Sequence, residues 1–266
     1  MKMENHLWQH ILQVRTSSPL VHNITNYVVM NNTANALLAI GASPIMAHAK
    51  PEVEDMVSIS HSLVINIGTL DEYWHESMMI AAKKANSLQK PWVLDPVGAG
   101  ATPYRDVVLS EILSLNPTVI RGNASEIIAL AKLNNTVTKG VDSTAMSNEA
   151  IDAATTLVKN HNSVVCISGE TDIVIDKHQC LFLDNGDPLM TKVTGLGCTA
   201  TALVGAFIGV IENKSEAAAA ALSLLSISGE LAAKNSSGPG SLQLNIIDKL
   251  YNITDKEFNS HLKLTK

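Results

Sequence analysis

The segment KVTGLGCTATALVGAFIGVI, residues 192–211, places a Gly-x-Gly turn directly before an apolar helical pattern. At the start of a helix, main-chain N–H groups without a partner in the helix form a site for anions, which the helix dipole strengthens. Gly195, Gly197 and Cys198 are therefore candidates for an anion hole that stabilises negative charge on a transferred phosphoryl group. Two glycines do not make a dinucleotide-binding fingerprint, and the chain has no GxxxxGK[ST] phosphate loop.

Cys198 falls in the first turn of this predicted helix. The positive end of the helix dipole is expected to lower the pKa of its thiol and to direct the thiol toward the same anion hole. Cys198 is then a candidate catalytic partner for a substrate hydroxyl group. The alternative is that it is a small, buried, apolar residue in an Ala- and Val-rich helix.

A carboxylate ends the apolar run PWVLD, and the turn PVGAG follows it. At the end of a strand, Asp95 is positioned to face a metal ion, and the glycines after it leave the backbone exposed. The alternative interpretation is that Asp95 only caps the turn before Pro96.

A second carboxylate lies in the segment PTVIRGNASE. Asn123 followed by Glu126 has the spacing of a capping box, which satisfies free N–H groups at a helix start. The functional alternative is that Glu126 holds Mg²⁺, directly or through water, while Arg121 pairs with nucleotide phosphates. Mg²⁺ usually takes one or two carboxylates together with waters and phosphate oxygens.

The elements that must position these residues are read from the hydrophobic pattern. Short apolar runs alternate with helical patterns and predict crossover units in a largely parallel sheet. Such sheets bind ligands beyond the carboxyl ends of their strands. Ser168, in the turn after VVCI, either borders a nucleotide or belongs to an ordinary strand-ending turn. The predicted strands are Pro44–Ala47, Leu63–Ile67, Trp92–Leu94, Val119–Ile120 and Val164–Ile167.

Helical patterns cover the two ends of the chain. At the amino end they run from near Glu4 to Thr16 and from about Ile24 to Ile40, where Gly41 stops the helix. Between Asp172 and Leu183 two apolar runs predict a hairpin at the sheet edge. The final third is predicted to be almost entirely helical, and Asn134–Ser143 is the candidate for a mobile loop. The predicted helices of the final third are Thr199–Ile211, Ser215–Lys234 and a stretch after the turn Ser236–Ser241.

Composition narrows the function classes. The chain has 266 residues, 46% of them hydrophobic, and a net charge of −6, so we expect a compact protein that binds neither nucleic acid nor a membrane surface. Its longest apolar stretch, residues 199–211, is too short for a bilayer span. Three cysteines without a CxxC pair, and no secretion-type leader, favour a reducing, cytoplasmic setting.

Four segments together resemble the hydroxyethylthiazole kinases, the thiamine-salvage branch of the ribokinase-like superfamily. They occur in the same order as in that family, and the resemblance covers nearly the whole chain. The segments are SPLVHNITNYVVMNNTANALLAIGASPIM (residues 18–46), VLDPVGAGATPYR (93–105), IRGNASEI (120–127) and TGLGCTATAL (194–203).

The resemblance implies a three-layer, ribokinase-like α/β fold: a mostly parallel central sheet, helices on both faces, a helical C-terminal third, and residues 1–266 forming one kinase domain. It implies transfer of the ATP γ-phosphoryl group to the primary hydroxyl of 4-methyl-5-(2-hydroxyethyl)thiazole, with Mg²⁺ required. It also implies a homotrimer whose active sites are shared between subunits. By similarity, Arg121 and Ser168 would contact ATP. Met46 and Gly195 would contact the thiazole, and Asn23 and Gly68 are weaker candidates for the substrate site. Asp95 and Glu126 would contact the metal–phosphate cluster.

Two other readings stay open. One is a different ribokinase-like small-alcohol kinase, such as one acting on hydroxymethylpyrimidine. The other is a non-catalytic ligand-binding or redox-sensing protein in which Cys198 is simply a reactive thiol. Most ribokinase-like enzymes carry an aspartate as the base where this chain has Cys198, although a cysteine is usual in the thiazole-kinase branch.

Overall fold

The computed structural model describes residues 3–133 and 143–266, and these form one nine-stranded sheet with helices packed on it. The strands are β1 Leu20–Ile24, β2 Ser43–Ile45, β3 Ser62–Asn66, β4 Trp92–Asp95, β5 Val119–Asn123, β6 Val164–Ser168, β7 Asp172–Ile175, β8 Cys180–Leu183 and β9 Leu264–Thr265. The helices are α1 Met3–Ser17, α2 Met30–Ala39, α3 Val53–Ile59, α4 Glu72–Ser87, α5 Pro103–Leu113, α6 Ala124–Lys132, α7 Ser143–His161, α8 Leu196–Ile208, α9 Lys214–Ala233, α10 Pro239–Asn252 and α11 Asp255–His261, with a short 3₁₀ helix at Pro188–Lys192.

The strand order is β2-β1-β3-β4-β5-β6-β7-β8-β9. The pairings from β2 to β6 are parallel, and those from β6 to β9 are antiparallel. The parallel strands therefore all end at the same edge of the sheet. In that register Asn66 lies opposite Asp95, and Asn123 lies opposite Ser168.

Two hydrophobic cores lie on opposite faces of the sheet, because successive side chains of each strand point to opposite sides. Val64 joins one core, packed under α1, α2, α8, α9, α10 and α11. Its neighbours Leu63 and Ile65 join the other core, which α3 to α7 cover. This arrangement confirms the predicted three-layer α/β fold with a mostly parallel central sheet.

Helix α8 approaches the sheet closely at Gly205. A Cβ atom at Gly205 would stand 2.4 Å from Cγ2 of Val64, so only glycine permits this approach. The Ser62 hydroxyl donates a hydrogen bond to the carbonyl oxygen of Gly205 over 2.7 Å. The contact fixes the height of α8 above β3, and with it the position of the first turn of the helix.

The predicted helix from about Ile24 to Ile40 is wrong in its first part. Residues Leu20–Ile24 form β1, between β2 and β3, and the helix begins only at Met30. Val21 and Ile24 are buried within the sheet, and pairing of β1 on both sides outweighs the helical spacing of the pattern. Gly41, with φ of +87°, does follow the end of that helix as predicted.

The remaining elements agree with the pattern. All five predicted strands are present, and Asp172–Ile175 and Cys180–Leu183 pair as the predicted hairpin, although β9 rather than β8 forms the sheet edge. In the final third, α8 begins three residues before the predicted start, at Leu196, and α10 begins within the Ser236–Ser241 turn. The predicted mobile loop Asn134–Ser143 lies outside the described residues, except for Ser143 at the start of α7.

One described helix, α9, has the length and mean hydropathy of a membrane span. However, 78% of its apolar 18-residue window is buried inside the protein. It packs beside α1, α8 and α10, so its apolar character is explained by its place in the core.

Candidate active site

Asp95 is the centre of a group of polar side chains at the carboxyl edge of the sheet. Its side chain is buried, and its Oδ2 accepts hydrogen bonds from Asn66 Nδ2 and Thr201 Oγ1, both over 2.7 Å. Both donors belong to other elements, β3 and α8, whereas the turn after Pro96 closes through its own main chain, Ala99 N to Pro96 O. The structure therefore disfavours the interpretation that Asp95 only caps a turn.

Burial raises the pKa of Asp95 to about 6, and the nearby Glu126 carboxylate adds to this effect. The positive charge of Arg121 and the hydrogen bonds from Thr201 and Asn66 act in the opposite direction. Desolvation of a carboxylate disfavours its charged form. Asp95 is thus a carboxylate that a bound cation would stabilise.

The first turn of α8 is open at its amino end. Gly195 precedes the helix with φ of +79°, and a Cβ there would stand 2.3 Å from Cγ1 of Val29. The first intrahelical bond runs from Thr199 N to Gly195 O, and no side chain caps the turn. The N–H groups of residues 196–198 therefore precede the hydrogen-bonded helix, as an anion hole requires.

Arg121 lies against this turn from the side of the sheet. A Cβ at Gly197 would stand 2.8 Å from Nη1 of Arg121, so glycine is needed for the guanidinium to reach the helix start. The side chain is 8% exposed, and its Nε is buried without a hydrogen-bond partner. A buried donor left unpaired is costly. An anion at this position would remove that cost.

Glu126 has the capping role that the sequence spacing offered. Its Oε2 accepts a hydrogen bond from Asn123 N over 2.9 Å, while Asn123 Oδ1 accepts one from Glu126 N, which completes the capping box of α6. Its Oε1 accepts a further bond from Gly98 N, over 3.0 Å, and so ties the turn after β4 to α6. Within the described residues no group of three or more His, Cys, Asp or Glu side chains forms a ready metal cluster.

Cys198 is half-buried, and its Sγ accepts a hydrogen bond from Asn26 Nδ2 over 3.4 Å. The expectation that its pKa is lowered is wrong. Burial raises the pKa of the Cys198 thiol, and the negative charge of Asp95 raises it further, against weaker opposing effects from Asn66, Asn26 and Arg121. Desolvation and a neighbouring carboxylate outweigh what the sequence indicated from the helix start alone.

The other predicted residues lie along the same edge of the sheet. Ser168 ends β6, beside Asn123, and its hydroxyl donates to Gly122 O over 3.4 Å. Asn23, in β1, is buried, and its Oδ1 has no hydrogen-bond partner. Gly68 follows β3 and lies against the side chain of Asn26, while the half-buried Met46 follows the edge strand β2.

Sequence reasoning missed several polar residues of this edge. Asn66 and Asn26 form a side-chain hydrogen bond over 2.8 Å, and Thr201 reaches Asp95 from the second turn of α8. Arg105 of α5 donates to carbonyl oxygens of Ile67, Val97 and Gly68, and so holds together the turns after β3 and β4. Asn66 gave a usable signal, because it is the one polar residue within the predicted strand Leu63–Ile67. Asn26, Thr201 and Arg105 gave none.

Comparisons with known proteins agree with one another. A family model described as "Hydroxyethylthiazole kinase family" matches residues 11–256. The chain is 53% identical over 258 residues to a hydroxyethylthiazole kinase of Syntrophus aciditrophicus, covering 97% of this chain and 96% of that one. A solved hydroxyethylthiazole kinase structure from Pyrococcus horikoshii OT3 superposes with a TM-score of 0.91 at 42% identity, covering 98% of each chain.

A more distant solved structure shares only the fold. The pyridoxal kinase of Staphylococcus aureus, in complex with AMP-PCP and pyridoxal, has a TM-score of 0.63 at 16% identity and covers 80% of this chain and 88% of its own. The ribokinase-like architecture that the sequence predicts is therefore confirmed.

Proposed function

The chain belongs to the hydroxyethylthiazole kinase family, and from this premise we propose that it transfers the γ-phosphoryl group of ATP to the primary hydroxyl of 4-methyl-5-(2-hydroxyethyl)thiazole. The product is the thiazole phosphate used in thiamine salvage. This proposal includes the residues assigned to ATP binding, substrate binding, metal binding and catalysis. It also includes the homotrimer and the cytoplasmic location.

One observation carries the proposal: a buried arginine with an unpaired donor lies against an uncapped helix start. Arg121 Nη1 stands against Gly197, and its Nε lacks a hydrogen-bond partner. A guanidinium and free main-chain N–H groups both favour phosphate oxygens. Their convergence supports a phosphoryl-binding site made by Arg121 and the anion hole of Gly195, Gly197 and Cys198.

In the proposed reaction, the alcohol oxygen forms a bond to the γ-phosphorus while the bond to the β–γ bridging oxygen breaks, and ADP leaves. Such transfers pass through a loose transition state, in which positioning and charge stabilisation dominate. The raised pKa keeps Cys198 a thiol at neutral pH, so it holds the alcohol in place rather than acting as a strong base. The hydroxyl proton is released late, to solvent or to the transferred phosphate.

The residues present fit a magnesium ion. Asp95 is a buried carboxylate whose Oδ2 alone receives the Asn66 and Thr201 hydrogen bonds, and burial makes its charged form unfavourable without a cation. Glu126 uses both oxygens on main-chain N–H groups, so it suits a contact through water better than a direct one. A magnesium ion held by Asp95 and Glu126 would neutralise charge on the ATP phosphates.

The remaining polar groups of the edge suit the two substrates. Ser168 lies one strand beyond Arg121 and is proposed to contact ATP on that side. Asn23 offers a buried, unpaired Oδ1 on the opposite side, in β1. Together with Met46, Gly68 and Gly195 it is proposed to line the thiazole site, since a heteroaromatic alcohol suits a mostly apolar pocket with a few polar groups.

Two exposed apolar residues support the proposed homotrimer. Tyr27 and Val28 are 58% and 60% exposed, and they lie directly after Asn26 in the turn between β1 and α2. A neighbouring subunit seated there would bury them and complete the substrate side of the site, as shared active sites require. We propose further that residues 1–266 act as one kinase domain in the cytoplasm, to which the three unpaired cysteines are suited.

The experiment that tests the function is a coupled ADP-release assay across a panel of heteroaromatic alcohols, with and without Mg²⁺. We expect Mg²⁺-dependent ADP release that the thiazole alcohol stimulates most. Preference for hydroxymethylpyrimidine would identify the alternative small-alcohol kinase. Thiol modification at Cys198 with no alcohol-stimulated turnover would favour the ligand-binding or redox protein instead.

A further inference from the structure

A continuous chain of side-chain hydrogen bonds joins Cys198 to Asp95. Asn26 Nδ2 donates to Cys198 Sγ over 3.4 Å and to Asn66 Oδ1 over 2.8 Å. Asn66 Nδ2 then donates to Asp95 Oδ2 over 2.7 Å. This hydrogen-bond network runs from α8 through the turn after β1 and through β3 to β4. It links Cys198, which is proposed to hold the alcohol, to Asp95, which is proposed to hold the metal.

The donor and acceptor roles in this hydrogen-bond network are fixed by the main-chain N–H group of Gly68. Gly68 N donates to Asn66 Oδ1 over 2.9 Å, and a main-chain N–H can only donate. The oxygen of the Asn66 amide must therefore face Gly68, which turns its NH₂ group toward Asp95. Because the Asn66 oxygen faces Asn26 as well, the NH₂ group of Asn26 must point to it, and so also to Cys198.

The two amides are held tightly in these orientations. Asn66 is 1% exposed and Asn26 is 4% exposed. A Cβ at Gly68 would stand 2.7 Å from Asn26 Nδ2, so the absence of a side chain there creates the slot in which the Asn26 amide lies. Buried amides without freedom to turn make a rigid support for the groups they contact.

We propose that Asn66 and Asn26 are positioning residues for the kinase reaction: Asn66 orients the Asp95 carboxylate, and Asn26 orients the Cys198 thiol. This inference rests on the proposed function. Donation by Asn66 to Oδ2 leaves Oδ1 of Asp95 unused by both Asn66 and Thr201. Donation by Asn26 to Sγ leaves the thiol proton free for another acceptor, so the alcohol and the metal are aligned through one shared network.

The test replaces each amide by a carboxylate of the same shape, which removes the donors and adds a negative charge. Asn66→Asp would set a second carboxylate oxygen against Asp95, and Asn26→Asp would set one against Cys198 Sγ. The matched control is Asn185→Asp. Asn185 is a buried amide in the segment after β8, and its side-chain hydrogen bonds run to Glu230, His261 and Lys263 and not to the Asp95 network. Its Nδ2 donates to the Glu230 carboxylate over 3.0 Å, so the same substitution creates a like-charge contact there.

We expect kcat of Asn66→Asp to fall by about tenfold or more while KM for the alcohol stays within about threefold, because positioning acts on the reacting geometry. Asn185→Asp should lower the melting temperature and leave kcat and KM near wild type. If Asn66→Asp does not fold, Asn66→Ala serves in its place, with Asn185→Ala as its control. Wild-type kcat in a folded Asn66 variant would overturn the inference for Asn66.

A second measurement tests Asn26 directly. Iodoacetamide labelling followed by peptide mapping gives the alkylation rate of Cys198, with Cys180 in the same molecule as an internal control. Asn26→Asp should slow alkylation of Cys198 by about fivefold or more, since a donor to sulfur is replaced by an anion, and leave Cys180 unchanged. Equal rates at Cys198 would overturn the role of Asn26. Absence of turnover in the wild type would instead refute the proposed kinase function, so the two failures are distinguishable.

Discussion

Thr201, in the second turn of α8, donates a hydrogen bond to Oδ2 of Asp95, the last residue of β4, over 2.7 Å. The two residues are 106 positions apart in the chain. This contact, with Gly205 packed on Val64 further along the helix, ties the anion-binding start of α8 to the carboxylate beside it.

Replacing Thr201 by valine keeps the shape of the side chain and removes this donor. We expect the free energy of unfolding to fall by about 1.5–3 kcal/mol, the usual range for a hydrogen bond to a charged group, and kcat to fall with it. Urea unfolding and the ADP-release assay measure both. Thr199→Val is the matched control, because the Thr199 hydroxyl is buried without a partner and its removal should leave stability equal or higher. Equal losses in the two variants would contradict a special role for the Thr201 contact.

Asp95→Asn should remove a pH-dependent loss of stability, so that the stability of the variant relative to wild type increases as the pH rises. The carboxyl pKa is raised from 3.8 to about 6 in the folded state, so below pH 3.8 both states are protonated and the carboxyl contributes nothing. Between these values the unfolded chain releases its proton and the folded chain keeps it, so wild-type stability falls with rising pH and the loss is complete above pH 6. The variant lacks this loss and should gain up to about 3 kcal/mol on wild type across the interval.

Urea unfolding of both proteins at pH 4 and pH 7.5 in metal-free buffer measures this difference. Mg²⁺ with ATP should narrow the gap at the higher pH, because a cation stabilises the ionised wild-type carboxyl group. The variant should also lose turnover. A stability difference that does not change with pH would show that burial does not disfavour the charged form of Asp95.

Gly197→Ala should damage phosphate binding. The new Cβ would stand 2.8 Å from Nη1 of Arg121 and would push the guanidinium away from the helix start. We expect kcat/KM for ATP to fall by about tenfold or more, since correct placement of such groups dominates phosphoryl transfer. Gly240→Ala, in the first turn of α10 where a Cβ meets nothing within 4 Å, should leave ATP kinetics unchanged. If Gly197→Ala has wild-type ATP kinetics, the assignment of Arg121 to the phosphate site is wrong.

Substitutions of Cys198 separate an assisting role from an essential one. Cys198→Asp should retain activity, because the family resemblance implies that most ribokinase-like enzymes carry an aspartate at this position, and Cys198→Ala should lose only part of it. The raised pKa of the thiol agrees with an assisting role, since a strong base is not needed in a loose transition state. Steady-state kinetics and alcohol binding measure both variants. Complete loss of turnover in a folded Cys198→Ala protein that still binds alcohol would contradict this expectation.

The sequence predicts the parts of the site that depend on local order. Asp95 at a strand end, the capping box of Asn123 and Glu126, and the glycine turn before α8 are each contained in a few consecutive residues, so their patterns are sufficient. The local pattern does not predict the strand Leu20–Ile24, because its neighbours in the sheet, Ser43–Ile45 and Ser62–Asn66, come later in the chain. Pairing with distant strands is not visible in a local hydrophobic period.

The sequence cannot predict properties that burial creates between distant residues. Nothing near Asn26 indicates that it meets Asn66 or Cys198, because these contacts follow from strand order and from the slot at Gly68. The direction of the Cys198 pKa shift cannot be predicted from the sequence for the same reason. The helix start is visible in the sequence, but the desolvation of the thiol and the proximity of Asp95 belong to the folded chain.

Gly205 lies seven positions after Cys198, about 10 Å further along the helix axis. Any residue with a side chain at this position would push α8 away from the sheet and tilt the helix, because its Cβ would overlap Val64. The position of the reacting end thus depends on the absence of a side chain at a buried residue in the middle of α8. Selection for catalysis would then act on Gly205, although its surroundings are those of an ordinary core residue.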